Sequence, residues 1–151
     1  MRRIWLIFAV AVALTLGSLG VASAQDNTAQ APSTTANRFV LTNIKPDNGE
    51  TGVSRDTNVT ATFNRVLDPS TVRQNFTLKD LNTGKRVHAT ITVNGKTAML
   101  NPNDSLKRGD TYEATLDRGI RSRSGDRLDG VDGSGATLSG GQATWRFTVR
   151  S

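Results

Sequence analysis

From Arg38 onward the apolar side chains of this sequence fall at every second position, in short runs separated by Gly, Asn and Asp. Successive side chains of a strand point to opposite faces, so this spacing is what a strand shows when one face meets a core and the other meets water. In Asn58 to Phe63, Val59, Ala61 and Phe63 face one way while Asn58, Thr60 and Thr62 face the other. Val87, Ala89, Ile91 and Val93 alternate with His88, Thr90 and Thr92; Tyr112, Ala114 and Leu116 with Thr111, Glu113, Thr115 and Asp117; Trp145, Phe147 and Val149 with Thr144, Arg146 and Thr148. Phe39 to Ile44, Asn75 to Asp80 and Lys96 to Asn101 bring the count to seven. Half-buried strands of this kind predict antiparallel sheets packed on one face.

Turn chemistry falls between these runs. Asn82-Thr83-Gly84-Lys85 joins the third and fourth, and Asn94-Gly95 supplies the positive backbone angles of a tight hairpin before the fifth. Asp68 followed by Pro69 predicts a capped helical turn, because an aspartate accepts the first free N–H groups and proline suits the first helical position. No sustained 3.6-residue repeat follows residue 37, so the expectation is all-β: an immunoglobulin-like antiparallel β-sandwich of about seven strands over residues 38–151. Tyr112 follows the Gly109 turn at the start of the sixth strand, the position of a tyrosine corner, where the phenol bonds back to the turn.

The 151 residues include no Cys and one His, which excludes disulfides, thiol nucleophiles, Cys-based zinc and multi-histidine metal sites. Arg2-Arg3, the apolar run from Ile4 and the closing Ala22-Ser23-Ala24 have the layout of a secretory signal peptide over residues 1–24, cleaved after Ala24. Residues 25–37 are polar and without periodicity, the composition of a flexible linker. After cleavage, 17 basic residues face 13 acidic ones, about +4, with no transmembrane span remaining. The expected location is secreted, extracellular or cell-envelope. Without a concentrated basic stripe and interleaved exposed aromatics, nucleic acid is not the expected partner. Phe39, Phe63, Phe76, Tyr112 and Phe147 fall at inward positions, with Trp145 the one ring placed where it could reach a ligand.

Several spaced pieces resemble the bacterial Ig-like domains of the S-layer-protein type. They are Pro46-Asp47-Asn48-Gly49, Gly52-Val53, Val59 to Val72, Leu100-Asn101-Pro102, Leu106 to Tyr112, Gly119-Ile120 to Ser124-Gly125, and Trp145-Arg146-Phe147-Thr148. The resemblance implies a modular, non-catalytic sandwich of secreted or surface proteins, without shared catalytic residues. Its expected work is binding or adhesion to an envelope polymer or an extracellular protein, or service as an accessory domain to a separately encoded enzyme. Ig-like periplasmic copper carriers resemble the family in outline and use His and Met ligands, but His88 and a remote Met99 make a poor copper site.

Two clusters carry chemistry. Arg118, Arg121, Arg123 and Arg127 form the candidate binding group, because guanidinium pairs bidentately with phosphate and carboxylate oxygens. The bland reading of the same residues is a solvated network with Asp117, Asp126 and Asp129. Asp126, Asp129 and Asp132 sit among glycines between Ser124 and Gly135, and such an oxygen-rich loop could wrap calcium, which makes a calcium-binding Ig-like module the alternative function; no other cofactor is expected. Their three-residue spacing and the lack of a following Glu depart from an EF-hand loop, which leaves a solvated loop as the competing description. No Ser/His/Asp grouping or rigid carboxylate pair is present, so no enzymatic activity is expected.

Overall fold

The computed structural model describes residues 38–151, so the signal peptide assigned to 1–24 and the linker assigned to 25–37 lie outside the described residues. In chain order the elements are β1 (Phe39–Lys45), β2 (Glu50–Val53), β3 (Val59–Phe63), α1 (Pro69–Asn75), β4 (Phe76–Asp80), β5 (Ala89–Asn94), β6 (Thr97–Pro102), β7 (Thr111–Leu116), β8 (Leu128–Val131), β9 (Thr137–Ser139) and β10 (Gln142–Val149). One sheet runs β5-β6-β3-β1-β8 and the other β2-β10-β7-β4, with β9 also on β10. Among the described residues no helix is long and apolar enough to cross a membrane.

The alternation seen in the sequence becomes burial. Along β3 and β7 every second side chain is buried, and β10 repeats the pattern over its whole length. Phe39 stacks on Phe63 at 5.1 Å between ring centroids, and Tyr112 on Phe147 at 5.8 Å, so the rings interlock within the core that the two sheets enclose. Trp145, left open from sequence, is buried beside Phe76 at 6.0 Å. Among the described residues all six rings are therefore inside, and none forms an exposed stacking platform.

The predicted corner is present: the Lys107 backbone N–H donates to the Tyr112 hydroxyl at 2.8 Å, and burial raises the phenol above its ordinary pKa. Asp68 caps α1, accepting from the Ser70 N–H, and the helix has seven residues where one turn was expected. Asp80 is 5% exposed and organises the turn after β4. Burial opposes its charge, but the Thr83 hydroxyl and the Thr83 and Asn82 N–H groups outweigh it and lower its pKa.

The structure departs from the sequence reading in three places. The described residues form ten strands rather than about seven, since β2, β8 and β9 were not anticipated. The sheets are not wholly antiparallel, because β1 pairs with β8 and β10 with β2 in parallel. The hairpin turn is Gly95-Lys96 rather than Asn94-Gly95: Asn94 still pairs with Thr97, and Gly95 takes φ +56° at the first loop position.

Candidate functional site

Four segments meet at one end of the β3 strand. The Leu67 N–H bonds to Gly95 O at 2.9 Å and the Phe63 N–H to Lys96 O at 2.9 Å, which bring the β5–β6 turn against the chain leaving β3. The Arg123 N–H bonds to Val66 O at 2.8 Å, and Leu67 bridges to Ser122. The Arg121 N–H reaches the Thr71 hydroxyl at 3.1 Å on α1. The segment 121–127 is itself a small hairpin: Arg121 stands opposite Arg127, and the Ser122 N–H bonds to Asp126 O at 2.9 Å.

Alternation within this hairpin decides where the charges point. Ser122 is 1% exposed, so Arg121 and Arg123 on either side of it lie on the outward face, and Arg127 shares that face as the cross-strand partner of Arg121. Lys96 is exposed in the adjoining turn, and Val66, 38% exposed, is the single large apolar side chain left open among the described residues. Val66 is thus held by its backbone against Arg123, with Lys96 in the adjoining turn and Asp68 bonded through its N–H to Arg121 O. Arg118 stands apart from this group, against the Gly140-Gly141 turn between β9 and β10.

The expected carboxylate partners are engaged elsewhere. Asp126 accepts from the Ser124 and Ser122 hydroxyls and from Arg65 at 2.6 Å, which together hold its pKa down to about 2. Asp129, on β8, pairs with Arg38 at 2.8 Å, and that hydrogen bond and charge lower its pKa. Asp117 accepts from the Gln142 amide at 2.6 Å. The proposed neutralising network is therefore corrected: among the described residues none of Arg118, Arg121, Arg123 and Arg127 has a carboxylate within 4.0 Å. Arg121 donates to Gly125 O, and Arg123 lies close enough to Asp68 to lower its pKa after the dominant Ser70 contacts.

The three aspartates of the glycine-rich segment are not gathered. Asp126 closes the hairpin, Asp129 is committed to Arg38, and Asp132 is exposed past β8, where its N–H bonds to Leu41 O. Among the described residues no group of three His, Cys, Asp or Glu side chains could hold a metal ion. His88 and Met99 are apart as well: Met99 stands opposite Thr92, whereas His88 O accepts from Asn103. Lys96 and Val66 were missed from sequence because they lie 25 or more positions from the hairpin, and no local pattern signals that β3, α1 and the β5–β6 turn converge there.

Two sheets with a tyrosine corner, the described rings inward and the charged clusters displaced to the loops define an Ig-like sandwich. The chain belongs to the family described as Bacterial Ig-like domain, which it matches over residues 20–149. Its fold is similar to that of CopC from Methylosinus trichosporium OB3b, with a TM-score of 0.56 and 16% identity over 75% of this chain and 94% of that one. It is also similar to the N-terminal part of the bacterial S-layer protein SbsC, with a TM-score of 0.50 and 20% identity over 77% of this chain. Domains 1–6 of the surface layer protein SbsC give a TM-score of 0.52 at 19% identity. The chain spans 24% and 14% of those two S-layer chains. No curated protein matches it in sequence.

Proposed function

We propose that this protein is an exported, non-catalytic Ig-like module that binds an anionic polymer of the cell envelope through the hairpin 121–127. The observation that carries the reading is the outward row Arg121, Arg123 and Arg127, none with a carboxylate within 4.0 Å among the described residues, in the hairpin that bonds to Val66. Guanidinium groups without a close ion pair give up little on meeting phosphate or carboxylate, and a hairpin tied to the chain after β3 and to α1 presents them in fixed positions. Similarity to surface-layer proteins and the signal-like residues 1–24 support an envelope location.

The test is co-sedimentation of the purified protein with isolated bacterial envelopes at low and high salt. Binding at low salt that falls at high salt supports the reading, because screening acts on exposed charges. A triple variant, Arg121→Glu with Arg123→Glu and Arg127→Glu, should abolish the sedimented fraction while keeping the melting temperature. Equal binding by that variant would remove the hairpin from the function, and no binding by the parent protein would remove the envelope.

A further inference from the structure

Sheet edges can accept another chain, and natural folds blunt them with short strands, charges or cover. Most edges here are blunted. β2 and β9 have four and three residues, and β8 has four with Asp129 tied to Arg38. β4 is backed by the crossover that follows it, with Lys79 opposite Arg86 and the Val87 N–H bonded to Leu78 O. β5 has neither shortness nor charge to blunt it: its six residues, ATITVN, contain no charge and no proline and pair with β6 without a register shift, and its cover is helix α1, which packs against it and contributes Arg73 to the groove alongside.

The pairing also shows which groups are free. Asn94 opposite Thr97 closes a two-residue loop and is a hydrogen-bonded pair, so Thr92 with Met99 and Thr90 with Asn101 are hydrogen-bonded too. Ala89 faces Pro102, which has no N–H to give, in keeping with that alternation. Ala89, Ile91 and Val93 therefore turn their N–H and C=O groups away from β6, and no backbone bond outside the strand ladders reaches them among the described residues. Beside this edge runs a groove of about 280 Å³, floored by Leu78, Ile91 and Leu100 and rimmed by Arg73, Arg86 and His88. No carboxylate lines it, and neither arginine is ion-paired among the described residues.

We infer that β5 accepts, by strand addition, an extended acidic segment of a partner protein. The segment's main chain pairs with Ala89, Ile91 and Val93, its alternate apolar side chains enter the groove, and its carboxylates meet Arg73 and Arg86. A second copy of β5 is a worse occupant, since it brings no carboxylate and would set a second Arg73 and Arg86 against the first. This edge includes none of the hairpin residues, so it stands independently of the envelope reading.

The experiment is amide hydrogen exchange on the full chain with a synthetic probe, acetyl-(Val-Glu)4-amide, against acetyl-(Val-Lys)4-amide. The acidic peptide should slow exchange at the Ile91 and Val93 N–H groups at least tenfold, and the basic peptide should not. In the Arg73→Glu, Arg86→Glu double variant, binding of the acidic peptide should weaken about tenfold and the preference should reverse, two exposed charge contacts having become repulsions. Unchanged exchange with the acidic peptide, or undiminished binding by the double variant, would overturn the inference. So would protection that grows with protein concentration without peptide, which would assign the edge to a second copy.

Discussion

Single side chains decide how tightly the loops are held. Replacing Tyr112 by Phe keeps the ring on Phe147 but leaves the Lys107 N–H without its acceptor, and should cost about 1–2 kcal/mol of unfolding free energy in a urea titration. Gly119 has no space for more: a Cβ there would strike the Asn75 side-chain amide, which donates to Thr71 O at 2.7 Å. Gly119→Ala should therefore destabilise by about 1–3 kcal/mol and loosen the contact between α1 and the chain entering the hairpin, measurable by thermal melting. The role of Tyr112 was legible because a Tyr after a Gly turn at a strand start is a local pattern. The constraint on Gly119 was not, since it arises from Asn75, 44 positions away, and from a helix whose placement no spacing specifies. Trp145 carries a buried Nε1–H with no hydrogen-bond partner among the described residues, a feature no periodicity reveals.

At the level of elements, the readable strands were those that alternate for five residues or more, as β3, β7 and β10 do. β2, Glu50–Val53, has one buried residue in four, and β9 none in three, so neither has a face to detect. β8 was read as part of a solvated loop because Asp129, Gly130 and the glycines that follow look like turn chemistry. In the fold Leu128 and Gly130 are buried by parallel pairing with β1, and a Cβ on Gly130 would press on Val40. Parallel pairing joins residues about 90 apart, beyond the reach of any local signal. The helix was legible through its cap. Asp68→Ala should cost about 1 kcal/mol by removing the acceptor of the Ser70 N–H, and amide exchange over residues 70–72 should quicken more than the global stability falls.

For the molecule as a whole, acid stability follows from the carboxylates. The pKa of Asp126 is about 2, below the roughly 3.9 of an unfolded aspartate, so its contribution is fully present above about pH 4 and is lost as pH falls towards 2. Asp68, Asp80 and Asp129 are lowered too and act in the same direction. Melting temperature should drop between pH 4 and pH 2, and Asp126→Asn should start lower at neutral pH and fall less steeply across that window. The proposed site was half legible: the arginines of the hairpin stood out as a run, while their separation from Asp117, Asp126 and Asp129 depended on Arg65, Arg38 and Gln142, which only folding brings to those carboxylates.

Strand β10 sets the order in which this fold can be completed. It lies between β2 and β7, and its early residues also hold β9. A ribosome makes it after every strand it joins, so β2 waits about 90 residues of synthesis for the one strand it pairs with among the described residues. Until Gln142–Val149 has emerged, the second sheet is reduced to β4 on β7 and the seats of Trp145 and Phe147 stay open. Nascent chains halted before Gln142 should be digested readily by protease, and those released beyond Val149 should resist it.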